Sequence, residues 1–230
     1  MSSVAAFIET IGDPANFGDE EDTRSWIGGT NGDFSVSSCY EMIDVQLQQQ
    51  GQAQERQRKI PSKYVWNSAI PPKVSFLVWA AAMNGLPTVD RLLRRGMAIT
   101  NINCCLCHQE PETISHIFIH CVFAKKLWEH FLNLLESRWR PPDSCMELLI
   151  SWQLKLNIEP IEFLKFCLPF ALWQQIWKER NERIFRNKEK SVERIILQVK
   201  ASLFSWASVH ISFKHFKFAD FIHDWRAFKR

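Results

Sequence analysis

The chain has 230 residues, of which 46% are hydrophobic and 23% charged, so its composition is that of a folded protein and not of a disordered one. Seventeen phenylalanines and ten tryptophans predict a large aromatic core, whereas only eight glycines and two tyrosines argue against an immunoglobulin-like or barrel architecture. The net charge is +3, but residues 1–60 carry −6 and the remaining 170 carry +9. This asymmetry predicts an acidic arm followed by a basic working surface.

The N-terminus lacks the basic region and apolar run of a signal peptide. The most apolar run, residues 163–177, is too short to cross a bilayer and contains Lys165 and Pro169. We therefore expect an intracellular protein of the nucleus or cytoplasm, with no membrane association.

The first 60 residues predict little regular structure. Residues 1–23 are interpreted as a flexible acidic arm, and residues 24–27 and 33–36 flank a glycine-rich turn that predicts a small N-terminal β-hairpin. A short helix is expected after Ser38. The polar segment 48–59 is typical of a solvated linker.

The remainder is predicted to be helical. Apolar spacing indicates a helix over 74–83, a second over 88–95 with Thr88 as its cap and Gly96 just past its end, and an amphipathic third over 122–135. Further helices are expected over 145–156, over 160–187 with a break or bend at Pro169, and over 192–209. The fold class is thus mainly α with a small N-terminal β-hairpin, divided into a domain over 24–136 and a C-terminal helical region over 137–230.

One stretch, residues 103–128, holds four of the seven cysteines and three of the seven histidines. Cys104, Cys107, His116 and Cys121 follow the spacing C-x2-C-x8-H-x4-C, which is typical of a zinc site. Because four protein ligands fill a zinc tetrahedron, such a site leaves no position for water or substrate. We therefore predict a structural zinc ion that stabilises the helical domain.

Other interpretations of this stretch remain open. Cysteine is often buried as a small hydrophobic residue. Cys105, His108 and His120 are additional donors, so the spacing predicts the metal but leaves the choice of ligands open. A nucleophilic Cys-His pair at residues 107–108 or 120–121 is an alternative. Clustered thiols are more typical of a metal site than of a catalytic site, which needs one cysteine beside one base.

The segment 178–200 carries eight basic and four acidic side chains, with Trp177 directly before it and Phe185 within it. This pattern suits phosphate neutralisation combined with base stacking, so RNA or DNA is a candidate partner. The alternative is a salt-bridged helix face, since Glu179 and Arg183 are four residues apart, as are Glu182 and Arg186. The candidate nucleic-acid contacts are Lys178, Arg180, Arg183, Arg186, Lys188 and Lys190.

Several motifs occur together in a characteristic order along residues 24–206. They are W-x5-G-x-F-S-V-x-S-x-Y from Trp26, then Trp66, P-x-K-V-x-F-x-x-W from Pro71, T-x-D-x-L-x-x-R-G from Thr88, E-T-x-x-H-x-F-x-x-C from Glu112, Trp128, and I-W-K-E-R-N-x-R-I-F from Ile176. In this order the chain resembles the zinc-binding region C-terminal to the reverse transcriptase domain of plant LINE-type, non-LTR retrotransposons. The family often has proline directly after the first cysteine, where this chain has Cys105.

The resemblance implies an accessory module of a reverse transcriptase polyprotein. No F/Y-x-D-D motif for a polymerase metal site and no obvious set of nuclease carboxylates occurs in the sequence, so we expect a non-catalytic protein. The expected function is a zinc-binding module that contacts nucleic acid, as a truncated or stand-alone descendant of such an element. The alternative is a zinc-stabilised scaffold that binds protein, with a reverse transcriptase domain supplied in trans as one partner.

Overall fold

The computed structural model of the protein describes residues 26–27, 33, 38, 42, 61–137, 140–152, 159–223 and 225–229. The chain divides into two compact units, Met1–Gln57 and Arg58–Arg230. In the first unit, Trp26 Nε1 donates a hydrogen bond to Ser38 Oγ at 2.9 Å. The predicted acidic arm and linker, and nearly all of the predicted hairpin and of the helix after Ser38, lie outside the described residues.

The second unit is mainly helical over its described residues. Its α-helices are α1 (Ser62–Val65), α2 (Pro72–Ala82), α3 (Val89–Arg94), α4 (Val122–Leu134), α5 (Cys145–Ser151), α6 (Pro160–Arg186), α7 (Val192–Ala207) and α8 (Phe218–His223). A π-helical turn covers His116–His120, and 3-10 turns cover Ile211–Phe213 and Trp225–Lys229. The described part of the chain contains no β-sheet, only an isolated bridge between Asn103 and Pro111. The prediction of a mainly helical fold is therefore confirmed.

Helix boundaries follow local chemistry. The side chain of Ser144 accepts a hydrogen bond from the N–H of Glu147 and begins α5, and Ser191 does the same for α7. Gly96 adopts a φ of 82° just past α3, a left-handed conformation that glycine accepts at no steric cost. Asn187, with a φ of 50°, ends α6 in the same way.

The prediction that the side chain of Thr88 caps α3 is wrong. Thr88 is at the N-cap position, but its hydroxyl donates to Asp90 and makes no bond to the helix backbone. The carboxylate of Glu112 instead accepts from the N–H of Val89 at 3.0 Å. A residue from a distant loop therefore supplies the cap.

Helix α6 is the centre of the unit and contacts α2, α4, α7 and the π-helical turn. It continues as one helix through Pro169, where a break or bend was expected, and every residue of 166–176 is buried. The ring of Trp173 stacks on Phe118 of the π-helical turn, with ring centroids 5.1 Å apart. The core therefore joins residues on both sides of position 136, and the three-part domain division remains a prediction.

Candidate metal centre and the basic helix

The chain around the first two cysteines folds back on itself as a tight loop. The N–H of Cys104 donates to the carbonyl of Glu110 at 2.8 Å, and the N–H of Glu112 donates to the carbonyl of Ile102 at 2.9 Å. Inside the loop, the N–H of His108 closes on the carbonyl of Cys104 at 2.8 Å, with His108 in a left-handed conformation. These bonds hold Cys104 and Cys107 on one turn.

The second pair comes from the π-helical turn. His116 begins this turn and Cys121 follows its last residue, and the N–H of Cys121 donates to the carbonyl of His116 at 2.7 Å. Three of the four residues between them, Ile117 to Ile119, are fully buried. The hydrophobic core therefore fixes the position of both donors.

The structure brings the four predicted donors together. The ligand atoms of Cys104, Cys107, His116 and Cys121 all lie within 4.8 Å of one another. The Sγ atoms of Cys104 and Cys121 are 3.9 Å apart, and Cys107 Sγ is 3.3 Å from His116 Nε2. A tetrahedron with zinc–sulfur bonds of about 2.3 Å has edges of about 3.8 Å, so the arrangement fits a zinc ion.

Hydrogen bonds set the protonation of the cluster. The hydrogen bond to Cys121, together with burial, raises the pKa of Cys104 to about 12, and the same hydrogen bond lowers the pKa of Cys121. A hydrogen bond to Cys104 raises the pKa of His116. These groups share protons at close range, and a metal ion would take the place of those protons.

The three additional donors, Cys105, His108 and His120, lie outside this cluster. Cys105 Sγ lies 3.9 Å from the carbonyl of Arg180, and His120 Nε2 lies 3.4 Å from the carbonyl of Asp143. The side chain of His108 is exposed. The described cluster therefore consists of three cysteines and one histidine, a donor set that zinc commonly binds.

Helix α6 holds the cysteine loop from outside. Arg183 Nη1 donates to the carbonyls of Cys105 at 3.0 Å and Leu106 at 3.3 Å. Arg180 pairs with Glu112 at 2.7 Å and also donates to the carbonyl of Pro87 at 3.2 Å. These arginines position the loop that carries two of the four donors. Spacing within the sequence could not reveal this role, because the partners are 68 to 93 positions away.

The six candidate nucleic-acid contacts are thus placed in different surroundings. The side chains of Arg180 and Arg183 are only 4% and 8% exposed and are paired with carboxylates. Arg186 is exposed and pairs with Glu182 at 2.7 Å, and Lys190 approaches Glu179. The i,i+4 pairs expected from the sequence therefore form. Lys178 and Lys188 are exposed.

No helix in the described part of the chain combines the length and hydrophobicity that a membrane span requires. The searches of curated proteins and of solved structures gave no match. The family model described as zinc-binding in reverse transcriptase matches residues 34–128. That family is an accessory zinc-binding domain and not a catalytic one, and the match includes all four clustered donors.

Proposed function

We propose that the chain is a non-catalytic zinc-binding module derived from the reverse transcriptase polyprotein of a plant LINE-type retrotransposon. The observation that carries this proposal is the closed set of three cysteines and one histidine inside the matched region. Cys104, Cys107, His116 and Cys121 would hold the ion through three sulfurs and one nitrogen. Bound zinc supplies a cross-link between the cysteine loop and the π-helical turn, without an open position for chemistry.

Metal analysis of the purified protein with single serine replacements tests the ligand set. We expect one zinc per chain, retained in Cys105→Ser and in His120→Ser. Zinc should be lost in Cys104→Ser and in Cys121→Ser, because three remaining ligands cannot close the tetrahedron. Full zinc occupancy in the Cys121→Ser protein would refute the assignment.

We further propose that the module contacts RNA or DNA through the basic side chains of the α6–α7 region. The net charge of +9 beyond residue 60 supports this proposal. So does the accessibility of Lys178 and Lys188. Titration with a labelled oligonucleotide at several salt concentrations tests it, since phosphate contacts give affinity that falls as salt rises. The absence of binding at low salt would refute it.

A protein-binding scaffold is the second candidate. Ile184 and Phe185, near the end of α6, are 42% and 73% exposed, and a reverse transcriptase domain supplied in trans could cover them. Replacing Phe185 with Ser would then weaken binding to such a domain and leave oligonucleotide binding unchanged. A reducing compartment, the nucleus or the cytoplasm, suits either function because the thiols must stay reduced.

A further inference from the structure

A polar cleft of about 800 Å³ opens between α2, α6 and α7, and none of the clustered metal donors lines it. Lys73, Lys178 and Lys190 face it together with the side-chain amides of Gln174, Gln175 and Asn181. The carboxylate among its described lining residues, Glu182, is already bound by Arg186. The cleft therefore offers cationic and neutral hydrogen-bond donors, the set that an anionic ligand requires.

The three lysines are close enough to repel one another. Burial lowers the pKa of Lys178, and the charges of Lys73 and Lys190 lower it further. Lys190 is partly neutralised by Glu179, whose Oε2 lies 3.6 Å from its Nζ. Among the described carboxylates, none forms an ion pair with Lys73 or Lys178. A phosphate between these two lysines would relieve the repulsion.

A second cleft, of about 340 Å³, adjoins the first and is apolar. The two clefts share Lys73, Gln174 and Lys178, and the second is also lined by Phe76 and Trp177. Phe76 is 58% exposed, although aromatic side chains of this size are usually buried. An accessible aromatic ring next to a pair of lysines matches the two halves of a nucleotide, a flat base and a charged phosphate.

We propose that the two adjoining clefts form one binding site for a nucleotide of a single-stranded nucleic acid. The base packs against Phe76 and Trp177, and the flanking phosphates lie between Lys73 and Lys178. A single strand is required because a base in a duplex is stacked and paired, and its face cannot reach Phe76. This inference rests on the nucleic-acid contact proposed above and gives that contact a location.

The test is fluorescence anisotropy of a labelled single-stranded oligothymidylate with the zinc-loaded full chain. Phe76→Ala should weaken binding roughly tenfold, since stacking contributes about 1–3 kcal/mol per base. Phe76→Trp should bind as the parent does, because a ring is retained. The double variant Lys73→Gln/Lys178→Gln should lower the slope of log affinity against log salt by about 1.4, since each lost phosphate contact removes about 0.7.

Lys125→Gln is the matched control, because it removes one charge from an exposed lysine of α4 that lines neither cleft and is not one of the six candidate nucleic-acid contacts. It should leave affinity nearly unchanged. If the parent protein binds no oligonucleotide, the proposed nucleic-acid contact itself is wrong. If the parent binds but the cleft variants bind equally well, or Lys125→Gln weakens binding as much as Phe76→Ala does, only the cleft is wrong.

A competition experiment distinguishes binding of a single strand from binding of a free nucleotide, which carries the same base and phosphate. Thymidine monophosphate should compete only weakly, because it lacks the second phosphate that the paired lysines would hold. Binding of the mononucleotide as tightly as the oligonucleotide, with the same loss in Phe76→Ala, would overturn the single-strand assignment.

Discussion

Replacing Arg180 with methionine tests whether the ion pair with Glu112 holds the metal loop to α6. The side chains of Arg180 and Glu112 are 4% and 0% exposed and 2.7 Å apart. After the change, the carboxylate of Glu112 keeps the N–H of Val89 and loses both guanidinium contacts. A buried charge that loses its partner costs about 3–5 kcal/mol. Whole domains are stable by only about 5–15 kcal/mol, so the loss would be large.

The assay is urea unfolding of the zinc-loaded protein, followed by circular dichroism. Arg186→Met is the matched control, because Arg186 also lies on α6 and pairs with Glu182 at the same distance of 2.7 Å, but its side chain is 67% exposed. Its loss should cost less than about 1 kcal/mol. A double variant, Glu112→Gln with Arg180→Met, should be less destabilised than the two single changes added together, since they remove the same pair. The reasoning fails if Arg180→Met costs no more than Arg186→Met.

Three further outcomes are expected. Chelation of zinc should abolish cooperative thermal unfolding, because structural zinc contributes on the order of 10 kcal/mol, and a melting temperature unchanged by chelator would contradict a structural metal. Zinc affinity, measured by competition with an indicator, should fall as pH falls, because protons compete for Cys104 and its partners; an affinity independent of pH between 6 and 8 would contradict thiolate ligation. A fragment ending at residue 136 should lack a cooperative unfolding transition, because it loses Trp173 and both arginines that hold the cysteine loop; a stable, zinc-loaded fragment would instead support the domain boundary predicted there.

The candidate metal donors were predictable because their relation is local. Cys104 and Cys121 are only 17 positions apart, and thiols and imidazoles at such spacing have few other uses in a reduced chain. The helices were predictable for a similar reason, since apolar spacing and the serine caps act within one or two turns. The extent of α6 was predicted as 160–187, but its continuity at Pro169 was not, because packing of the buried segment allows a helix to continue where local propensity alone predicts a break or bend.

The roles of Arg180 and Arg183 could not be read from the sequence. Charges at i,i+3 and i,i+4 are typical of a solvated helix face, and the pairs expected on that basis do form. Arg180 and Arg183 instead bond to a carboxylate and to carbonyl groups that lie far away in the chain, and these contacts bury them. The same long-range contact explains why Glu112, and not Thr88, caps α3. Local sequence patterns predict each helix, whereas the positions of these side chains depend on the packing of the whole unit.

The bond from Arg183 to the cysteine loop also affects how the protein is made. Arg183 is 78 positions after Cys105, so at about 5–20 residues per second the ribosome adds it roughly 4–16 s later. Cys121, the last of the four donors, precedes Arg183 by 62 positions, so for most of that interval all four donors have been synthesised but α6 is incomplete. Metal capture can therefore precede completion of the core, and a nascent chain that binds zinc early would present a preformed loop for α6 to pack against.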